Sequence, residues 1–136
     1  MKKEIQVFDY ASEIMKALKT GVLLTTKADN KVNTMTISWG SLGIEWETPI
    51  FTVYVRENRF TKQQLDKNPE FIINIPVGTF DKKILGFAGT KSRHTIDKIK
   101  ELNLTLESPN HISVPAIKEF PLTLECKIIY KQKQDK

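Results

Sequence analysis

Asn33-Thr34-Met35-Thr36-Ile37-Ser38-Trp39-Gly40 and, after a short gap, Pro49-Ile50-Phe51-Thr52-Val53-Tyr54-Val55-Arg56-Glu57-Asn58-Arg59-Phe60-Thr61 decide how this chain folds. In the first stretch Thr36 and Ser38 alternate with Met35, Ile37 and Trp39, and strand pleating sends the two sets to opposite faces. The second is an apolar strand, opened by Pro49, that delivers Arg56, Arg59 and Thr61 into one turn.

Working outward, Val22 to Lys27 is apolar and β-branched, and Asp29-Asn30-Lys31 turns it into a strand over Val32 to Trp39, so the two read as a hairpin. Upstream, Ile14, Met15 and Leu18 among polar neighbours give a short amphipathic helix over Phe8 to Lys19, closed by Gly21. Downstream, Thr61-Lys62-Gln63-Gln64 has the form of a capping box opening a helix that stops near Asn68-Pro69. Phe71 to Ile75 is a run of the kind buried on both faces.

Two short helical segments are predicted next, over Thr79 to Phe87 and around Ile96, Ile99 and Leu102, the latter with Asp97, Lys98, Lys100 and Glu101 outward. Leu104 to Leu106 and Leu122 to Tyr130 read as strands, separated by a loop holding Pro109, Pro115 and Pro121. Short strands with small helices between them predict a mainly β chain, an antiparallel Greek-key barrel rather than a doubly wound parallel sheet.

The chain has 136 residues, enough for one domain over 1–136 with one core. No apolar run approaches the roughly 20 residues that cross a bilayer. The basic pair Lys2-Lys3 is not followed by the apolar stretch of a secretory signal, so a cytoplasmic, non-membrane protein is expected. The single cysteine, Cys126, shares the Leu122, Leu124 and Ile128 face and reads as a small buried hydrophobe. The net charge is +5, of which the first four residues carry +1 and the last six +2. The remaining basic residues are mixed with acids instead of lining one element, which argues against a nucleic-acid partner. With two histidines and one cysteine, no transition-metal site can be argued.

Taken alone, Arg56 and Arg59 read as surface arginines in salt bridges before an anion clamp, and Thr36 and Ser38 as the solvent side of a half-buried strand before a ligand site. The order of the motifs changes this. Asn-x-Met-Thr-x-Ser-Trp at Asn33, Met35, Thr36, Ser38 and Trp39, Val-Arg-x-x-Arg-x-Thr at Val55, Arg56, Arg59 and Thr61, and Asn74-x-Pro76 follow one another. Gly89-Thr90-Lys91-Ser92 with Asp97-Lys98 comes after them. Together they resemble the FMN-binding split-barrel proteins of the flavin reductase-like family, and within it the flavoredoxin branch.

The resemblance covers Gly21 to Gln134. It implies that FMN is the cofactor, with Asn33, Met35, Thr36, Ile37, Ser38 and Trp39 along the isoalloxazine and ribityl chain. It also implies that Arg59 and Thr61 hold the phosphate with Arg56 nearby, and that Ser92 and Lys98 close the site. Arg93, His94 and Thr95 stand where that family usually has Gly, Arg and Asp, and Ala88 replaces a frequent Cys. Members usually continue with further strands past the point where this chain stops, so it is naturally short or a fragment.

The implied function is a flavin-dependent oxidoreductase, a homodimer moving electrons from NAD(P)H or a protein donor through bound flavin. The cofactor does the redox chemistry, so no catalytic side chain is required of the protein. A Gly-x-Gly-x-x-Gly dinucleotide fingerprint is absent, and NAD(P)H is expected to bind only transiently over the flavin. The alternatives are a flavin carrier or sensor without turnover, and a flavin-free barrel acting as an interaction module.

Overall fold

In a computed structural model, which describes residues 2–56, 59–77, 82–90 and 97–133, β1 (Val22–Ala28) and β2 (Lys31–Ile37) form the expected hairpin. Their register runs from Val22 opposite Ile37 to Ala28 opposite Lys31. Asp29 and Asn30 take φ values of 53° and 62°, the left-handed pair of a two-residue hairpin turn, which Asp and Asn tolerate. β2 ends at Ile37, two residues short of the predicted Trp39.

The next strand was not predicted. β3 (Gly40–Glu45) pairs antiparallel with β4 (Thr48–Val53). They are joined by Trp46 and Glu47 at φ 51° and 65°, a conformation that neither residue type favours.

β5 (Glu70–Ile75) lies inside a four-stranded antiparallel sheet ordered β2-β1-β5-β8, with β8 over Leu122–Lys127. Alternation along β1 and β5 builds two apolar faces. Val22, Leu24, Ile73 and Ile75 join Met35, Ile37 and Phe71 on one, under Ile14 and Leu18 of α1 (Ala11–Thr20) and Leu65 of α2 (Phe60–Lys67). On the other face, Leu23 packs with Leu85 and Ala88 of α3 (Lys82–Thr90) and with Ile117 and Phe120, while Ile72 meets Val114 and Ala116. Both faces of β5 are therefore covered, as its apolar run predicts.

α1 follows a 3-10 turn over Val7–Tyr10 and buries Ile14, Ala17 and Leu18, but leaves Met15 exposed. It stops at Gly21, whose φ of 129° favours glycine and whose N–H caps the Ala17 carbonyl at 2.9 Å. The segment predicted over Leu104 to Leu106 forms only a two-residue strand, β6 (Leu106–Glu107), paired with β7 (Ala116–Ile117). β8 ends three residues before Tyr130. Cys126 packs on the first core, and burial pushes its thiol up to about 12. No helix among the described residues is long and apolar enough to cross a membrane.

The capping box predicted at Thr61-x-x-Gln64 does not form. Arg59 is the N-cap and makes no side-chain cap. Thr61 and Gln64 are instead buried against the hairpin, where partners on β1 and β2 compete for their polar atoms.

A sheet covered on both faces must satisfy its polar groups internally. Asn74, fully buried, donates from Nδ2 to Thr25 Oγ1 at 2.8 Å and accepts from the Ile117 N–H at 3.0 Å. Thr25 in turn shares a hydrogen bond with Thr34 at 3.1 Å, so one polar chain ties β2, β1, β5 and β7. Asn74→Ala strands the Ile117 N–H and is expected to lower stability by about 1–3 kcal/mol. Urea titration should show this as a lower midpoint with an unchanged slope.

Candidate functional site

The candidate site lies where β2, an outer strand of the sheet, meets the N-terminus of α2, the C-terminus of α3 and the start of α4 (Lys98–Glu101). Arg59 sits in extended backbone at φ −81° and ψ 144°, as the last residue before α2. From there its Nη1 approaches the Gly89 carbonyl at 3.5 Å. Lys98 donates from Nζ to the neighbouring Ala88 carbonyl at 2.7 Å.

Two cations thus converge on the last turn of α3, where a helix has unsatisfied carbonyls and the negative end of its dipole. Among the described residues, neither forms an ion pair with a carboxylate. Burial, and secondarily the charge of Arg59, lower Lys98 from the ordinary 10.5 to about 8.

Helix periodicity had put Lys98 outward with Asp97, Lys100 and Glu101. The structure corrects this: Lys98 is 1% exposed. α4 is a single turn, and the Ala88 carbonyl draws the amine inward.

On the α2 side, Thr61 Oγ1 accepts from Asn33 Nδ2 at 3.0 Å, and both residues are buried. Since an amide N–H only donates, the Thr61 hydroxyl keeps its own proton for another acceptor. Asn33 Oδ1 is buried without a partner among the described residues. A second rung, Thr26 donating to Gln64 Oε1 and Gln64 Nε2 donating to the Lys31 carbonyl at 2.7 Å, fixes α2 on the hairpin.

On the α3 side, Thr36 Oγ1 donates to the Leu85 carbonyl. A Cβ on Gly89 would come within 3.2 Å of Thr36 Cβ, so glycine there permits the close approach. Met35 and Ile37 pack their side chains in the core, which leaves only their backbone groups for a ligand. Ser38 and Trp39 are exposed just past β2, and Arg56 is exposed. Ser92 lies outside the described residues, as do Arg93, His94 and Thr95.

The structure thus brings Arg59, Thr61, Asn33, Thr36 and Lys98 around two helix ends and one strand. It adds the Ala88 and Gly89 carbonyls, for which the only sequence signal was Gly89 itself. A cleft of about 270 Å³ also opens beside the β1–β2 turn. Its groups are paired with one another, Lys67 with Asp29 at 2.5 Å and Asn68 with Ser113 at 3.1 Å. Among the described residues, the α3 end has cations without acids, and Asn33 Oδ1, on the face of β2 that α2 covers, is a buried acceptor without a donor. These are the features that fit an anionic, hydroxyl-bearing ligand.

The family whose description is flavin reductase like domain matches residues 15–135 of the chain. An uncharacterized protein of Archaeoglobus fulgidus is 29% identical over 73% of this chain and 55% of its own length. Flavoredoxin of Desulfovibrio vulgaris superposes with a TM-score of 0.76 at 26% identity, over 83% of this chain and 61% of that one. An FMN-binding domain of a flavin reductases-like enzyme from Shewanella baltica shares the fold, with a TM-score of 0.75 at 18% identity over 89% of this chain and 64% of that one. The fold is therefore the split barrel expected of the motifs, and the chain spans a little over half the length of these relatives.

The lowered value of Lys98 sets a sign for stability. Above about 8 the folded state sheds this proton while the unfolded chain holds it up to 10.5. The cost of burying the ammonium is therefore full below that window and is relieved as pH rises through it. Measured against Lys98→Met by thermal melts, the native chain should gain stability across this window, with a limiting slope of about 1.4 kcal/mol per pH unit.

Proposed function

Because the chain belongs to the flavin reductase like family, we propose that it binds FMN and works as a flavin-dependent oxidoreductase of the flavin reductase or flavoredoxin type. Electrons would enter from NAD(P)H or a protein donor. The observation that carries this reading is the convergence of Arg59 and Lys98 on one helix end, without an acid among the described residues. An isolated cation pair is costly, and an anion between them removes the cost. The Shewanella baltica relative, described as FMN-binding, supports the same ligand.

In this reading Arg59 and Lys98 hold the phosphate, each with donors left over after its bond to α3. Thr61 adds its hydroxyl proton, which its bond from Asn33 leaves unused. Asn33 Oδ1 is left to accept from the ribityl chain. β2 offers backbone groups of Met35, Thr36 and Ile37 to the polar edge of the ring, with Ser38 and Trp39 at its end and Ser92 closing the site. When bound, the flavin supplies the hydride and electron chemistry, and the protein's task is orientation and electrostatics.

The proposal extends to one domain over 1–136, a cytoplasmic location and a homodimer. The β3–β4 hairpin supports the dimer, because it exposes Ile44 at 69% and Trp46 at 91% toward its turn, and Trp39 at 68% just before its first strand. A second copy covering it would border the end of β2. Light scattering should then give twice the chain mass, and Trp46→Glu should return the monomer.

Calorimetric titration tests the ligand. FMN is expected to bind at one site per chain and more tightly than riboflavin, and equal affinities would remove the phosphate clamp. Arg59→Ala should weaken FMN by roughly ten- to a hundredfold, the loss of a charged hydrogen bond worth about 1.5–3 kcal/mol, with riboflavin nearly unchanged. Arg59→Lys should recover only part, since it keeps the charge but not the planar fork. Steady oxidation of NADH or NADPH separates an enzyme from a flavin carrier.

A further inference from the structure

We propose that ligand binding at this site is coupled to a proton on Lys98, so that the chain takes up a proton with FMN and discriminates FMN from riboflavin more strongly while Lys98 is charged. This rests on the FMN reading above and adds a regulation of the same site by pH.

The geometry makes the coupling. Lys98 Nζ and Arg59 Nη1 reach the successive carbonyls of Ala88 and Gly89, at 2.7 and 3.5 Å. Lys98 is 1% exposed, so water does little to support its charge. The permanent charge of Arg59 opposes it further, since a guanidinium does not titrate in this range.

Among the described residues, no carboxylate forms an ion pair with Lys98. On α3, the described residues Ile84, Leu85, Ala88 and Gly89 carry no charge. The β2 residues beside the helix ends, Thr34 to Ile37, carry none either, and Lys31 is exposed at the hairpin turn. On α4 itself, Lys100 and Glu101 are exposed, and Asp97 accepts the Lys100 N–H at 3.3 Å. Arg59 is thus the charge that faces Lys98 among the described residues, and it is repulsive. The proton accordingly leaves the ligand-free chain at about 8.

A phosphate within reach of both cations reverses the balance. Its second ionisation falls at a pKa of about 6, so above about pH 7 it is a dianion and does not itself titrate. It attracts the ammonium and screens Arg59, which raises the proton affinity of Lys98 in the complex. Binding then draws a proton from solvent whenever the free chain has lost it. Riboflavin has the same ring and ribityl chain without the phosphate and therefore provides the reference.

The test is calorimetry of the whole chain with FMN and with riboflavin, from about pH 7 to about pH 9.5, in pairs of buffers that differ in ionisation enthalpy. By linkage, FMN should take up about half a proton at about pH 8 and nearly a full one at about pH 9, and riboflavin none. The ratio of FMN to riboflavin affinity should fall about tenfold between about pH 7 and about pH 9. Lys98→Arg keeps a charge that does not titrate and should flatten that dependence, while Arg59→Lys should leave a dependence in place.

A ratio constant with pH in a chain that prefers FMN overturns the coupling and leaves the FMN reading standing. Uptake that persists in Lys98→Arg overturns the assignment to Lys98. Binding of neither flavin overturns both readings. If the Lys98 variant does not fold, the buffer-pair heats of the native chain still decide whether a proton accompanies FMN but not riboflavin.

Discussion

A sheet buried on both faces has no water for its polar groups, and this constraint shapes the molecule. Each helix near the candidate site is held by a polar bond as well as apolar packing, α2 and α3 to the sheet and α4 to α3. α2 is held by Thr61 to Asn33 and by Gln64 to Thr26 and Lys31. α3 is held by the Leu85 carbonyl to Thr36, and α4 is tied to α3 by Lys98. Such bonds add modestly to stability when made and cost more when left unmade, so they fix helix positions with more precision than apolar contact alone. Only two buried side-chain atoms among the described residues lack partners, Asn33 Oδ1 and Thr123 Oγ1. The first of these lies on β2 beside Thr61, on the sheet face that α2 covers.

The same constraint explains what could be read from the sequence. β1, β2, β5 and β8 are runs of β-branched and apolar residues whose alternation is strong, and the first hairpin carries an Asp-Asn turn that suits positive φ. β3 has no such signal. Gly40 and Gly43 weaken the strand pattern, and the turn at Trp46-Glu47 uses residues that disfavour the conformation they adopt. The capping box failed because a local rule met tertiary competition, with Asn33 and Thr26 taking the polar atoms that would have closed it. Burial of Lys98 was hidden for a related reason, since helical periodicity describes a helix several turns long and α4 has only one.

The site residues were legible as an ordered set but not as a geometry. Arg59 and Lys98 stand far apart in sequence and meet only because α3 ends between them. Arg56, adjacent to Arg59 in the same motif, is exposed instead. Neither composition nor spacing distinguishes these two arginines, and the distinction comes from where the chain enters α2. Met35 and Ile37 illustrate the reverse case. Their place in the motif suggests contact with a ligand, yet the pleat turns both side chains into the core and leaves the backbone of β2 for recognition.

Anion sites are usually associated with helix N-termini, where N–H groups and the positive end of the dipole point at the ligand. In the anion site proposed above, the helix end is the opposite one. The carbonyls of Ala88 and Gly89 would repel a phosphate, but they attract cations, and each cation so held spends one donor on the helix and keeps the rest. A lysine has three donors and an arginine five, so the capped end of α3 presents a surface of inverted sign. Among the described residues, the helix thereby positions both charges without using an acid that would compete with a ligand. The consequence is energetic as well as geometric: the arrangement is under electrostatic tension in the ligand-free chain, visible in the lowered proton affinity of Lys98. A neutral ligand leaves that tension in place, whereas an anion relieves it, and the difference between the two is the physical basis on which this site can select a phosphate-bearing ligand.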